Sequence, residues 1–308
     1  NLDYTPEQVL ISCGGKHSLY NACQALFQSG DEVIIFAPYW VSFPDFVSVT
    51  GAKPIFVRTD SNQQFEPEFD DLKGKLNSRT KGIIINSPSN PTGGVWSNEA
   101  VLKVLELAQE RNIWIFSDEC YEQLTYDQSY VSTGMLAENS EKVLTFQSCS
   151  KTYAMTGWRI GYAAGNKTVI RAMAKLQGQS TSCPNSIAQA AAVEALSGDQ
   201  SEIVNMRQEF KKRRDYIVNR LNQIDGVSCD SPGGAFYVFP DFSSYMGENY
   251  NIHTSDDLSM YLLEQKAVVT VAGESFGANG HIRFSYAASD DDLKRALDLL
   301  EEALKELS

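Results

Sequence analysis

Histidine is scarce, with only His17, His253 and His281 in a chain of 308 residues. The six cysteines, scattered from Cys13 to Cys229, show neither CxxC nor CxxxC spacing. Without clustered soft ligands no zinc site is encoded, and without a regular cysteine pattern no disulfide framework is; reduced thiols in a cytoplasmic setting are the expectation. Long apolar runs are missing too. The greasiest stretches, such as Val33-Ile34-Ile35-Phe36-Ala37, have buried-strand length and fall far short of the roughly 18 apolar residues that a membrane span needs. Positive charge is in deficit: 26 lysines and arginines against 39 acids leave a formal net charge of −13. Such a chain is repelled by phosphate backbones and anionic lipid, so neither nucleic acid nor a membrane surface is an expected partner. The one basic run, Lys211-Lys212-Arg213-Arg214, lies beside Glu209 and Asp215 in a helical pattern and reads as a solvated helix face. No signal peptide is visible, although the chain opens Asn1-Leu2-Asp3 without a methionine.

What is present is a globular composition, 43% hydrophobic and 21% charged, long enough to bury a large core. Seven short apolar, β-branched runs alternate with segments of helical period: Val9 to Ser12, Val33 to Ala37, Ile55 to Val57, Gly82 to Ile85, Ile113 to Phe116, Val143 to Phe146 and Ile160 to Ala163. Between them, stripes such as Leu19, Cys23, Leu26 and Phe27 place apolar residues on one helix face. The alternation predicts an α/β fold, a mostly parallel seven-stranded sheet with helices on both faces, over residues 1–200. From Ser201 to Ile224 a long helical pattern reads as a connector into a smaller α+β domain over 201–308. That domain has strand candidates Ala235 to Phe239, Val268 to Val271 and Ile282 to Ser285, and helices Ser255 to Gln265 and Asp290 to Leu307.

Ligands of open α/β sheets bind at the carboxyl ends of the strands, so the residues just after each strand carry the information. After Ser12 comes Cys13-Gly14-Gly15-Lys16 at a helix start, where two glycines permit close backbone approach and free amides suit a phosphate. After Ile85 comes the turn-rich Asn86-Ser87-Pro88-Ser89-Asn90-Pro91-Thr92-Gly93-Gly94. After Phe116, Ser117-Asp118-Glu119-Cys120-Tyr121 sets an acid and a phenol near the crevice. After Phe146, Ser148-Cys149-Ser150-Lys151 sets a lysine between hydroxyls, followed by Gly157-Trp158-Arg159. Such a lysine beside an arginine suits a nucleophilic amine next to an anion site, though each motif alone is equally a glycine turn, a cap or a surface lysine.

Taken together these segments are decisive. In order along the chain, Pro38-Tyr39-Trp40-Val41-Ser42, Asn90-Pro91-Thr92-Gly93, Ser117-Asp118-Glu119-Cys120-Tyr121, Ser148-Cys149-Ser150-Lys151 and Gly157-Trp158-Arg159-Ile160-Gly161 match signature segments of one family. The chain resembles the fold-type I pyridoxal-phosphate enzymes, specifically the class I aminotransferases, from Val9 to Leu307. It is most similar to the aspartate aminotransferase subgroup that includes bifunctional aspartate and prephenate enzymes, whose phosphate loop reads Gly-Gly-Lys as Gly14-Gly15-Lys16 does. The resemblance implies pyridoxal 5'-phosphate as cofactor, amino acid and 2-oxo acid substrates with aspartate and 2-oxoglutarate favoured, and a homodimer with shared sites. It implies that Lys151 anchors the cofactor and carries the substrate's α-proton, and that Asp118 pairs with the ring nitrogen. Asn90 and Tyr121 would donate to the phenolic oxygen and Trp40 would stack on the ring. Ser148, Ser150, Arg159 and the backbone at Gly14 and Gly15 would hold the phosphate. Arg283, in His281-Ile282-Arg283-Phe284-Ser285, would grip the substrate α-carboxylate, with Trp40 and Asn90 beside it. Lys16 would bind either the distal carboxylate of a dicarboxylic substrate or the phosphate. The family also carries a further N-terminal segment, roughly a quarter of the chain, which is expected to lie outside these residues.

One competing motif is Gly273-Glu274-Ser275-Phe276-Gly277, which fits the G-x-S-x-G nucleophile elbow of hydrolases. That elbow needs an acid and then a histidine on later loops, whereas the only later histidine is the nearby His281. A cofactor-binding relative without turnover, an aromatic or prephenate aminotransferase, or a lyase on the same scaffold are the remaining alternatives.

Overall fold

Strand β1 (Val9–Ser12) and helix α1 (Gly15–Leu26) begin an alternation that continues through β2 (Glu32–Ala37), α2 (Ser42–Ser48), β3 (Lys53–Asp60), β4 (Glu66–Pro67), α3 (Phe69–Lys75), β5 (Thr80–Asn86), α4 (Asn98–Glu110) and β6 (Trp114–Asp118). It ends with α5 (Thr133–Leu136), β7 (Val143–Ser148), α6 (Cys149–Thr152), β8 (Gly161–Ala164), α7 (Lys167–Gly178) and α8 (Ser186–Ser197). The structure, a computed structural model, describes residues 2–137, 141–249 and 251–307. The strands form one sheet in the order β1-β8-β7-β6-β5-β2-β3-β4. From β7 to β3 all neighbours are parallel, while β8 and β4 run antiparallel to the strands they pair with.

Successive side chains of the inner strands enter opposite layers, which is why these runs are apolar throughout rather than alternating. In β2, Val33 and Ile35 pack with Leu19, Phe27 and Met173 on one face, whereas Ile34 and Phe36 pack with Leu72, Trp96 and Val104 on the other. Each fully buried isoleucine of this kind contributes about 1.5–3 kcal/mol, so the central strands anchor both helical layers. The sheet has eight strands, where seven were expected. The eighth, β4, is only two residues long and contains Pro67, which the sheet edge tolerates because no ladder donor is needed on its outer side. Two residues carry too little pattern to be read from sequence.

Helix α9 (Ser201–Leu221) leads away from this sheet and ends three residues before the expected Ile224. Beyond it β9 (Tyr237–Val238), α10 (Ser255–Lys266), β10 (Val271–Ala272), β11 (Ile282–Ser285) and α11 (Asp290–Leu307) build a three-stranded antiparallel sheet covered by helices. Its core joins Ile217 and Leu221 of α9 to Phe242, Leu258, Leu262, Tyr286, Leu297 and Leu300. Two of its strands are shorter than expected: β9 begins only after the left-handed Ala235 (φ 57°), and β10 pairs only over Val271–Ala272, well after the left-handed Ala267 (φ 55°) that ends α10. No helix among the described residues is long and apolar enough to cross a membrane.

The order β6-β5-β2-β3 contains the point where chain direction across the sheet reverses, between β5 and β2. Loops leaving the carboxyl ends of adjacent strands diverge there and open a crevice.

Candidate active site

A cavity of about 420 Å³ sits at these carboxyl ends, lined among others by Gly15, Lys16, Trp40, Asn90, Asp118, Tyr121, Ser148, Ser150, Lys151, Arg159 and Arg283. Every sequence-predicted site residue except Gly14 lines it, and Gly14 touches it through Arg159. The topology explains this convergence. Trp40 follows β2, Asn90 follows β5, Asp118 ends β6, and Ser148 ends β7. Since β8 is antiparallel, the residues before its start, including Arg159, lie at the same end of the sheet.

One side of the cavity is built for an anion. Gly14 caps α1 at φ 90°, and a Cβ built on it would overlap Arg159 Nη2, with Cζ only 2.9 Å away. Arg159 is itself left-handed (φ 54°) and its guanidinium is held by Thr156 O at 2.9 Å and Cys13 O at 3.4 Å. The register Ser12–Gly161–Ser148 brings β1, β8 and β7 so close that a Cβ on Gly161 would run into the Gly15 amide. The Gly15 and Lys16 amides, which precede the first bonds of α1 from His17 N and Ser18 N to Gly14 O, lie with Arg159 on the same side of the cavity. Ser148 caps α6, its Oγ accepting from Ser150 N at 3.1 Å and reaching Ile160 O at 3.4 Å.

At the floor, Asp118 is buried, and Oδ1 accepts from Cys120 N at 3.3 Å. Burial pushes its carboxyl up to about 6, opposed by that amide and by Lys151. Lys151 Nζ lies 5.4 Å from the centroid of Phe236 and 5.9 Å from that of Tyr121. Burial draws its pKa down, and Arg283 and Arg159 act in the same direction. The lysine is thereby closer to a neutral nucleophile than a surface amine is.

Opposite, Arg283 reaches in from β11. Its Nη1 donates to Asn90 Oδ1 at 2.8 Å, while its buried Nε has no partner among the described residues. Lys16 stands 4.9 Å from the centroid of Trp40, which is wedged edge-on against Phe43 and Phe46. Two cations therefore point into one cavity from different walls.

Two further residues escaped sequence reading. Asn86 binds Asn90 N through Oδ1 at 2.9 Å and Asp118 O through Nδ2 at 3.3 Å, locking one site loop to the next strand. Tyr237 joins Tyr121, hydroxyl to hydroxyl, at 2.9 Å. Asn86 opens the turn-rich run after the Gly82 to Ile85 candidate, where nothing set it apart from its neighbours; Tyr237 sits inside a strand candidate, with no turn or charge to mark it. Ser275 lies in a 3-10 turn outside this cavity, and His281 stacks on Phe239 at 5.0 Å and turns Nδ1 to Asn279 O. That arrangement gives the hydrolase elbow no base.

Comparisons with known proteins agree with this geometry. A profile of the family described as "Aminotransferase class I and II" matches residues 1–300. The aspartate/prephenate aminotransferase of Cereibacter sphaeroides is 44% identical over 302 residues, 96% of this chain and 76% of that protein. The solved aspartate aminotransferase of Rhizobium meliloti superposes with a TM-score of 0.94 at 40% identity, over 100% of this chain and 78% of that one. The Thermus thermophilus aspartate aminotransferase solved with maleate gives 0.92 at 39% identity, over 98% and 77%. The chain belongs to the class I and II aminotransferases, transferases that work through pyridoxal 5'-phosphate.

Proposed function

We propose that this enzyme carries the amino group of L-aspartate to 2-oxoglutarate in two half-reactions, with Lys151 as anchor and base. The observation that carries the reading is the single cavity in which half-buried Lys151 and buried Asp118 share a lining with two cations, Arg283 and Lys16, set on separate walls. Cofactor and residues fit chemically. The Gly14–Arg159 cradle with the α1 amides and Ser148 and Ser150 suits a phosphate dianion. Asp118 suits a protonated ring nitrogen, and Asn90 and Tyr121 are donors for a phenolic oxygen. When bound, pyridoxal phosphate supplies an aldehyde that links to amines and a cationic ring that takes up the electron pair left by a departing α-proton.

The chain's own residues do the rest. Lys151 Nζ, its pKa lowered by burial, would anchor the cofactor through its aldehyde and, as a free amine, would take the substrate's α-proton. Asp118 would keep the ring nitrogen protonated. Trp40, on the cavity wall, would cover the ring and limit water. Arg283 offers a two-pronged fork to the α-carboxylate, sharing it with Asn90. Lys16 takes the distal carboxylate, which favours dicarboxylic donors. Relatives named for aspartate and prephenate, and a neighbour solved with maleate, support a dicarboxylic site.

A homodimer and a cytoplasmic setting belong to the same proposal. Helix α8 leaves Ile187, Val193 and Leu196 exposed, beside a groove that Trp158 and Arg159 share with Ile187. An apolar patch running up to a site residue is what a second subunit would cover. All six cysteines are free, in keeping with a reducing compartment. The division near residue 200 is likewise our reading of the two cores. The test is the absorption spectrum of the protein with pyridoxal phosphate. A visible band that needs Lys151, bleaches with L-aspartate and returns with 2-oxoglutarate is expected. A band indifferent to every amino acid would refute transamination.

A further inference from the structure

Tyr121 and Tyr237 both line the cavity, Tyr121 near Lys151 and Tyr237 against Arg283. Their hydroxyls lie 2.9 Å apart, both side chains are buried, and the rings meet edge to face at 79°. Burial pushes both phenols above their ordinary range, so each keeps its proton at neutral pH. One hydroxyl therefore donates to the other, and the remaining proton is left for a different acceptor. The ring of Tyr237 is also engaged: Arg283 Cζ sits over its face, 4.6 Å from the centroid.

We propose that Tyr237 is a positioning residue whose hydroxyl donates to Tyr121 Oη, so that the Tyr121 proton is aimed at the cofactor's phenolic oxygen, while its ring face supports Arg283. The inference rests on the reading of Tyr121 given above. A phenol that accepts a hydrogen bond is a stronger donor, because chained hydrogen bonds polarise one another. A guanidinium on an aromatic face gains electrostatic attraction and loses rotational freedom, which holds the carboxylate fork in place. One side chain thus serves the cofactor end through its hydroxyl and the carboxylate end through its ring. Conservative variants separate the two: Tyr237→Phe removes the hydroxyl and keeps the ring, and Tyr237→Leu removes both.

The holoenzyme is titrated with pH while the visible band of bound pyridoxal phosphate is followed, and separately titrated with maleate. In Tyr237→Phe the spectroscopic midpoint rises by a few tenths of a pH unit, because a weaker donor stabilises the phenolic oxyanion less. The dissociation constant for maleate stays within about twofold of wild type, since the ring remains. Tyr237→Leu gives a similar midpoint shift and weakens maleate by about threefold to tenfold. In a Tyr121→Phe background the added Tyr237→Phe leaves the midpoint where it was, as coupling through Tyr121 requires. A Tyr237→Phe protein with the wild-type midpoint overturns the inference, and so does an equal shift in the absence of the Tyr121 hydroxyl. If Tyr237→Leu does not fold, Tyr237→Met takes its place in the maleate titration, and wild-type maleate affinity in a folded variant without the ring overturns the support of Arg283. A wild-type protein that forms no visible band overturns the cofactor reading itself, and this inference falls with it.

Discussion

Replacing Gly14 with alanine tests the anion cradle at its narrowest point. The native φ of 90° is strained for any L side chain, which costs about 1–2 kcal/mol of stability. The new methyl would also overlap Arg159 Nη2 and crowd Cζ at 2.9 Å, so the guanidinium must leave the place where Thr156 O and Cys13 O hold it. Losing one charge-assisted contact to phosphate is worth roughly 1.5–3 kcal/mol, about 10-fold to 100-fold in affinity. Gly157→Ala is the control. It lies two residues from the same arginine, but its Cβ would meet nothing within 4 Å. The assay is pyridoxal phosphate affinity from the visible band, with urea unfolding of the apoprotein alongside. Gly14→Ala should bind far more weakly and unfold earlier, Gly157→Ala should do neither, and in an Arg159→Ala background Gly14→Ala should cost little further affinity. Wild-type affinity in Gly14→Ala would refute the cradle.

Other consequences follow from the same geometry. Asp118, with its carboxyl raised to about 6, favours the folded apoprotein only while protonated; this contribution is complete below about pH 4 and lost as pH rises through 6. Asp118→Asn should therefore stabilise the apoprotein at pH 7 by roughly 2–3 kcal/mol and leave it unchanged near pH 4, while abolishing turnover. Urea midpoints at both pH values check the sign, and equal effects at the two would contradict it. Arg283→Lys keeps the charge but not the fork, and kcat/KM for aspartate should fall about 100-fold or more. A value within a few-fold of wild type would remove Arg283 from substrate binding. Lys16→Ala should reduce the preference for dicarboxylic over neutral donors by about 10-fold; an unchanged ratio would leave Lys16 to the phosphate alone.

The expected strands all exist, and β11 and α11 have the expected bounds, because uninterrupted β-branched runs and a period near 3.6 are local signals that burial on both faces imposes. The places of Gly14, Gly15, Asp118 and Lys151 near strand ends were legible for a related reason, since turn formers and charges stand out against apolar surroundings, whereas their roles came only from the resemblance of the ordered segments to one family. β4 was not legible, since two residues cannot show a period. Nor were the breaks at Ala235 and Ala267, where alanine takes a left-handed conformation that its identity does not announce. What the sequence alone determined about this protein is therefore its layers and its chemical parts, each encoded within a few neighbouring residues. Only the tertiary structure decided the strand order that sets the crevice between β5 and β2, the 2.8 Å contact of Arg283 with Asn90, and the pairing of Tyr121 with Tyr237. Those contacts join residues more than a hundred positions apart, and they form only once buried surface in two separate cores has fixed where each strand lies.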